Sequence, residues 1–363
     1  MHIKMGYPHG IAVRMGLRMT IPGPLSTLDA RRIAAFAARQ YGRAPEYVRL
    51  KIRPLAGGLR NAGVARVESR LACAPGEPRS FVVKRVVGED CRELHAYEAL
   101  LSHAAPGIAP RLLGTERTSP YEAYLYLEWI DSWRPWPWRE VDIAGRVLER
   151  LALLHAAAPA DGFRRAVVRR DYESNLARSA RTTLELLEEG CRRPALAGAR
   201  RSLPAVRRVV SALSVLRRQM LAAGPPEAVL HGDVHTGNTI VRLRAGSPDP
   251  VLLDWGCVRM GSPLEDVCSW LQSLGYWEPE ARRRHDSLLC RYLAARGFAT
   301  PATRHLRDLY WLAGGSNAMA GALRYHVHMA TDEAIPAWER AESARQAGDW
   351  LRIIGRADAA SRR

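Results

Sequence analysis

Lysine is nearly absent from this chain of 363 residues: only Lys4, Lys51 and Lys84 occur, and arginine fills almost every other basic position. A sequence so biased keeps a lysine by chance or where a compact ammonium is needed rather than a planar guanidinium. Long apolar runs are missing as well. None approaches the roughly 18 to 20 residues that span a bilayer. The stretch to about Pro24 is interrupted by His, Arg, Gly and Pro and lacks the apolar core of a signal peptide. These absences exclude a transmembrane helix and point to a cytoplasmic protein. Residues 1–25, with Met1, Met5, Met15 and Met19, read as an extension without fixed structure, or as preceding the true start. The six cysteines show no C-x-x-C pairing, so reduced thiols are expected, with Cys257 serving packing. There is no internal repeat and no low-complexity tract. Net charge is +17. The arginine pairs Arg164-Arg165, Arg192-Arg193, Arg207-Arg208 and Arg217-Arg218 are, however, spread along helical segments without interleaved aromatics, which argues against nucleic acid as the partner.

The most informative segment is His231-Gly232-Asp233-Val234-His235-Thr236-Gly237-Asn238, framed by apolar Ala228–Leu230 and Thr239–Val241. It reads as a loop between two short strands. A third buried strand, Val251–Leu253, carries Asp254 at its end, followed by Trp255. Phosphoryl transfer needs a carboxylate beside the accepting hydroxyl and oxygen ligands that hold Mg²⁺ against the phosphate chain. Asp233, Asn238 and Asp254 supply that set, and the H-x-D-x-x-x-x-N spacing matches a kinase catalytic loop. Asx residues and glycine also shape ordinary turns; the strand-borne Asp254 and the apolar frame favour the catalytic reading.

At these residues the chain resembles the aminoglycoside phosphotransferase and choline kinase superfamily, with its H-G-D-x-H-x-x-N signature and later D-W, and the likeness runs from about Leu50 to about Leu271. The resemblance implies an α+β, protein-kinase-like bilobal fold: a small lobe of antiparallel strands with one helix, then a larger, mostly helical lobe. It implies a nucleotide lobe over 26–127, a hinge and aromatic linker over 128–140, and a catalytic and acceptor-binding lobe over 141–363. Gly57, Gly58 and Asn61 lie in a strand, glycine turn, strand pattern that would approach the phosphates. Lys84, in Phe81–Val87, becomes the phosphate lysine. Its helix partner is Glu93 rather than Glu98, two carboxylates on different faces of the helix Cys91–Ser102. The Glu128 carbonyl and the Ile130 amide would meet the base edge. ATP is the expected donor, with GTP also compatible, and Mg²⁺ would sit on Asn238 and Asp254, with Asp233 as catalytic base.

The aromatic loop Ser132–Trp138 would plug the space between lobes or wall a pocket. His155 resembles a structural histidine that satisfies backbone groups, and Asp266, in Gly261–Val267, an aspartate that braces the catalytic loop. Helices are expected over Val141–Ala157, Arg178–Glu189, Ala205–Leu221, Glu280–Ala295 and His305–Met329, the last broken at Gly314-Gly315. His326 and His328 are wrongly spaced for a shared metal. No dense acidic run follows Asp161; Asp332-Glu333 with Glu339 and Glu342 is the nearest. A multiply cationic aminoglycoside is therefore disfavoured against an acceptor with at most one positive charge. The rival reading is a catalytically inactive nucleotide-binding regulator, but degenerate kinases usually lose the base or a metal ligand, and here none is missing. Protein-kinase activity is disfavoured because no A-P-E-like segment follows Asp254.

Overall fold

The computed structural model describes residues 28–55, 63–72, 79–101, 106–131, 133–134, 140–158, 163, 172–277 and 279–363. The extension over 1–25, Gly57, Gly58, Asn61 and the side chains of Ser132–Trp138 lie outside the described residues. The chain divides into two compact units, one of residues up to Trp133 together with Val251–Gly256, the other of Arg134–Pro250 with Cys257–Arg363. Chain order alone assigns everything from 141 onward to the second lobe. The segment Val251–Gly256 instead packs with the first unit, where the Leu252 amide donates to the Ile108 carbonyl at 2.7 Å.

The first unit is built on an antiparallel sheet of β1 (Val48–Pro54), β2 (Val64–Leu71), β3 (Arg79–Val87), β4 (Leu112–Ser119) and β5 (Glu122–Glu128), in the order β1-β2-β3-β5-β4. Successive side chains alternate between faces. Ala65, Val67, Phe81, Val83, Tyr124 and Tyr126 bury one face against Ile33, Phe36 and Ala37 of helix α1 (Ala30–Tyr41). The Phe36 and Tyr126 rings stack with centroids 3.7 Å apart, a contact of the kind that contributes about 0.5–1.5 kcal/mol beyond area burial. This helix is an addition to the single helix expected here. Asp29 caps its N-terminus by accepting from the Arg31 and Arg32 amides, and Gly42 ends it. The anticipated helix is α2 (Arg92–Ala96), continuing through a π-turn over Tyr97–Leu101 and burying Leu94, Tyr97, Leu100 and Leu101.

The second unit carries α3 (Val141–Ala156), α4 (Tyr172–Gly190), α5 (Leu203–Ala223), β6 (Ala228–Leu230), β7 (Thr239–Arg244) and β8 (Ser247–Leu252), whose last two residues belong to the first unit. Then follow β9 (Arg259–Gly261), α6 (Pro263–Trp277), α7 (Pro279–Arg283), α8 (His285–Ala295), α9 (Arg304–Asn317), α10 (Leu323–Thr331) and α11 (Ala337–Ser361). Helix α6 sends Leu264, Val267, Cys268, Trp270, Leu271 and Leu274 into the core, together with the charged pair Glu265 and Asp266.

Two helix expectations need correction. Glu280–Ala295 is interrupted at Arg284, which leaves helical geometry (φ −96°, ψ 6°) and separates α7 from α8. Gly314-Gly315 does not break its helix. A Cβ on Gly314 would lie 2.7 Å from both Cys268 Sγ and Ile353 Cγ2, and one on Gly315 would lie 2.9 Å from the Ala357 Cβ, so the pair lets α9 approach α6 and α11 closely. The irregularity falls instead in the π-turn Ala318–Ala322, at Gly321 (φ 154°). Among the described residues no helix is long and apolar enough to cross a membrane.

Candidate active site

In the first unit, the pleat that turns Phe81 and Val83 into the α1 core turns Lys84 to the opposite face of β3. Its ammonium lies 2.5 Å from Glu93 Oε2 and 2.8 Å from Asp254 Oδ1. The side chains of Lys84 and Glu93 are 6% and 1% exposed, that of Asp254 34%. Burial works against the ammonium, but the carboxylates of Glu93 and Asp254 outweigh it and drive Lys84 upward, so it stays charged. Burial raises Glu93, and Lys84 opposes that rise. Glu98 faces away, bonded to Arg117 at 2.8 Å and Thr115 at 3.3 Å. Asp254 adopts a left-handed conformation (φ 62°) that aspartate tolerates better than most residues. It is set there between Leu252, tied to Ile108, and the fully buried Trp255, whose indole N–H donates to the Leu252 carbonyl at 3.1 Å.

Gly57, Gly58 and Asn61 lie outside the described residues; the strands before and after them pair antiparallel, with Pro54 opposite Ala65. Glu128 ends β5; its amide donates to the Arg111 carbonyl and its carboxylate accepts from the Arg111 amide, both at 2.9 Å. Ile130, two residues on, is buried.

In the second unit, β6 is fully buried and pairs with β9, Leu230 opposite Arg259, and delivers the chain into the loop His231–Asn238. Gly232 (φ 81°) cannot be replaced there, because a Cβ would sit 2.2 Å from the Cys257 carbonyl oxygen. Asp266 holds the loop entrance: its Oδ2 accepts from the His231 amide at 2.7 Å and its Oδ1 from the Gly232 amide at 3.0 Å. Ser273, seven residues and so two turns further along the same face of α6, accepts the Thr236 amide at 2.9 Å. Between these two anchors Asp233 is left half-exposed, with a side chain 50% accessible. The Asn238 amide nitrogen donates to the Asp233 carbonyl at 3.0 Å and to its Oδ2 at 3.2 Å, while His235 Nε2 lies 3.8 Å from the same oxygen.

His155 does not satisfy backbone groups as expected. Its Nε2 lies 3.2 Å from Asp266 Oδ2 and its Nδ1 2.9 Å from the Tyr292 hydroxyl. Burial opposes ionisation of Asp266, yet the hydrogen bond from His155, joined by His231 and Arg259, holds its carboxyl below the usual range. Sequence reasoning misses Tyr292 and Ser273. For Ser273 a signal exists, the seven-residue spacing from Asp266; for Tyr292, 137 residues from His155, there is none.

The model of a phosphotransferase enzyme family matches residues 51–306. No curated protein sequence matches the chain. Among solved structures, an aminoglycoside phosphotransferase from Alicyclobacillus acidocaldarius is similar over 96% of this chain and 98% of its own, at 14% identity and a TM-score of 0.56. A choline/ethanolamine kinase family protein from Mesorhizobium loti is similar over 86% of this chain and 92% of its own, at 18% identity and a TM-score of 0.53. At these identities the likeness speaks to the α+β kinase-like fold.

Proposed function

Because the chain belongs to the phosphotransferase enzyme family, we propose that it transfers the γ-phosphoryl group of ATP to a hydroxyl of a small molecule in a Mg²⁺-dependent reaction in the cytosol. The observation that carries this reading is the buried Lys84 ammonium clamped between Glu93 and the more accessible Asp254. A desolvated cation held on two sides suits the charge of a phosphate chain.

In this reading Lys84, oriented by Glu93, neutralises the nucleotide phosphates, and the backbone around Gly57, Gly58 and Asn61 covers them. The Glu128 carbonyl and the Ile130 amide meet the base edge, backbone contacts that would serve GTP as well. Asp233 orients the acceptor hydroxyl and takes its proton as the oxygen attacks the γ-phosphorus; the bond to the bridging oxygen breaks and ADP leaves. Asn238 and Asp254 would hold Mg²⁺. Their oxygens are the hard donors that ion prefers, and because the Asn238 nitrogen donates to Asp233, its carbonyl oxygen is the atom that would serve a cation. When bound, the metal offsets negative charge on the phosphate chain.

The acceptor carries at most one positive charge. Glu173, Glu333 and Glu342, acids that could otherwise receive a polycation, are already paired with Arg217, Arg193 and Arg345. An ammonium-rich substrate would have to share those carboxylates with the arginines. ATP consumption against panels of amino alcohols, sugars, nucleosides, macrolides and aminoglycosides tests the reading. Turnover with a neutral or singly charged acceptor is expected. Efficient turnover of a kanamycin-like substrate, at about 10⁴ M⁻¹s⁻¹ or more, would overturn the charge argument.

A further inference from the structure

Glu265 precedes Asp266 in the first turn of α6 and is 1% exposed. Its carboxylate accepts from Arg217 Nη1 at 2.6 Å and from Arg259 Nη1 at 3.0 Å, and both arginines are themselves buried. Arg217 also reaches Glu173 on α4 at 2.7 Å, and both guanidiniums lie over the Tyr172 ring, at 4.9 and 4.3 Å. From α9, the Asn317 side chain donates to the Glu265 carbonyl at 2.7 Å. The fit leaves no slack: a Cβ on Gly261 would lie 2.6 Å from Arg259 Nη1 and 2.7 Å from Glu265 Oε2.

Well-packed apolar side chains often stabilise a core as much as a buried ion network or more. Stability is therefore a poor account of why two arginines converge on one carboxylate here. Direction is a better one. Leu230, the last residue before the loop, pairs with Arg259; Arg259 holds Glu265; Glu265 is joined covalently to Asp266; and Asp266 holds the amides of His231 and Gly232. The ring closes on itself one residue short of Asp233. Neighbouring residues of a helical turn move as one body, so whatever fixes Glu265 fixes Asp266.

We propose that Glu265 is a positioning residue for Asp233, with Arg259 and Arg217 acting through it to set the loop. The inference rests on the catalytic reading of that loop, but its first readout does not. In the full-length protein carrying Arg259→Met, amide hydrogen exchange at His231 and Gly232 should quicken about tenfold or more, with exchange in Leu323–Thr331 unchanged. With ATP and an active acceptor, kcat should fall about tenfold while the nucleotide KM stays within about twofold. Arg259→Lys, which keeps a donor for Glu265, should recover part of both effects. Wild-type exchange at His231 and Gly232 in Arg259→Met would overturn the proposal. If that variant does not fold, Arg217→Met, which leaves Glu265 paired with Arg259, should show the same two effects, and wild-type exchange at His231 and Gly232 in it would overturn the proposal equally. A wild-type protein without phosphotransfer would defeat the functional reading alone, and the exchange measurement would still decide this one.

Discussion

Glu93 and Asp254 share a single buried cation, with Lys84 Nζ 2.5 Å from one carboxylate and 2.8 Å from the other. Glu93 is the nearly inaccessible partner and Asp254 the more accessible one; under the proposed function Glu93 would orient the ammonium from inside the fold. Glu93→Gln should therefore raise the nucleotide KM about 10- to 100-fold, the equivalent of one charge-assisted hydrogen bond. Glu98→Gln, whose carboxylate bonds Arg117 instead, should leave it within about twofold. Equal effects from the two variants would contradict the assignment.

Asp266 should matter to the loop more than to the fold. In Asp266→Asn, one acceptor oxygen becomes an N–H group and faces either the His231 or the Gly232 amide as a second donor. We expect a loss of about 1–3 kcal/mol in unfolding free energy and a fall in kcat larger than the fall in stability would explain. Denaturant titration set beside kcat separates the two; an unchanged kcat in the folded variant would show that the loop does not need this brace.

Histidine protonation should weaken the protein in mild acid. Burial pushes the His326 imidazole down to about 4 from its ordinary 6.5, against the pull of Asp349, and burial shifts His285 and His95 in the same direction. A folded state that resists protonation binds fewer protons than the unfolded chain between those values. This stability is thus fully present above pH 6.5 and is lost as pH falls toward about 4. The Tm of His326→Gln should fall less over that window than the wild-type Tm. Parallel Tm profiles would rule out a contribution from His326.

Gly314 tests the close approach of α9 to α6. A methyl group there must displace Cys268 Sγ or Ile353 Cγ2, both 2.7 Å away, so Gly314→Ala should lose about 1–3 kcal/mol despite the higher helix propensity of alanine. Stabilisation would restore the view that the glycine pair merely weakens the helix.

The strand placing Lys84 and the loop with Asp233 and Asn238 are legible in the sequence, because β alternation and turn chemistry act over a few residues; the brace at Asp266, 34 and 35 residues from the amides it holds, is legible only through the family resemblance. Helix α1 is equally local, with Asp29 as its cap, Ile33, Phe36 and Ala37 at helical spacing, and Gly42 as its stop, yet the family likeness begins after it and gives no prompt to look there. Other features depend on distance. The return of Val251–Gly256 to the first unit, the bond from His155 to Tyr292, and the use of Gly314 for helix contact rather than a break each need residues brought together from far along the chain. No local periodicity encodes such meetings.

The central claim is that Asp233 activates an acceptor hydroxyl. Its most direct test is single-turnover transfer of labelled γ-phosphate from ATP to an active acceptor, comparing the wild type with Asp233→Asn under conditions where both bind nucleotide equally. The Asp233 side chain is half-exposed, and asparagine keeps its size. The variant should therefore fold and bind ATP normally while the transfer rate drops by about two to four powers of ten. Transfer at near wild-type rate by a folded Asp233→Asn protein would contradict the account.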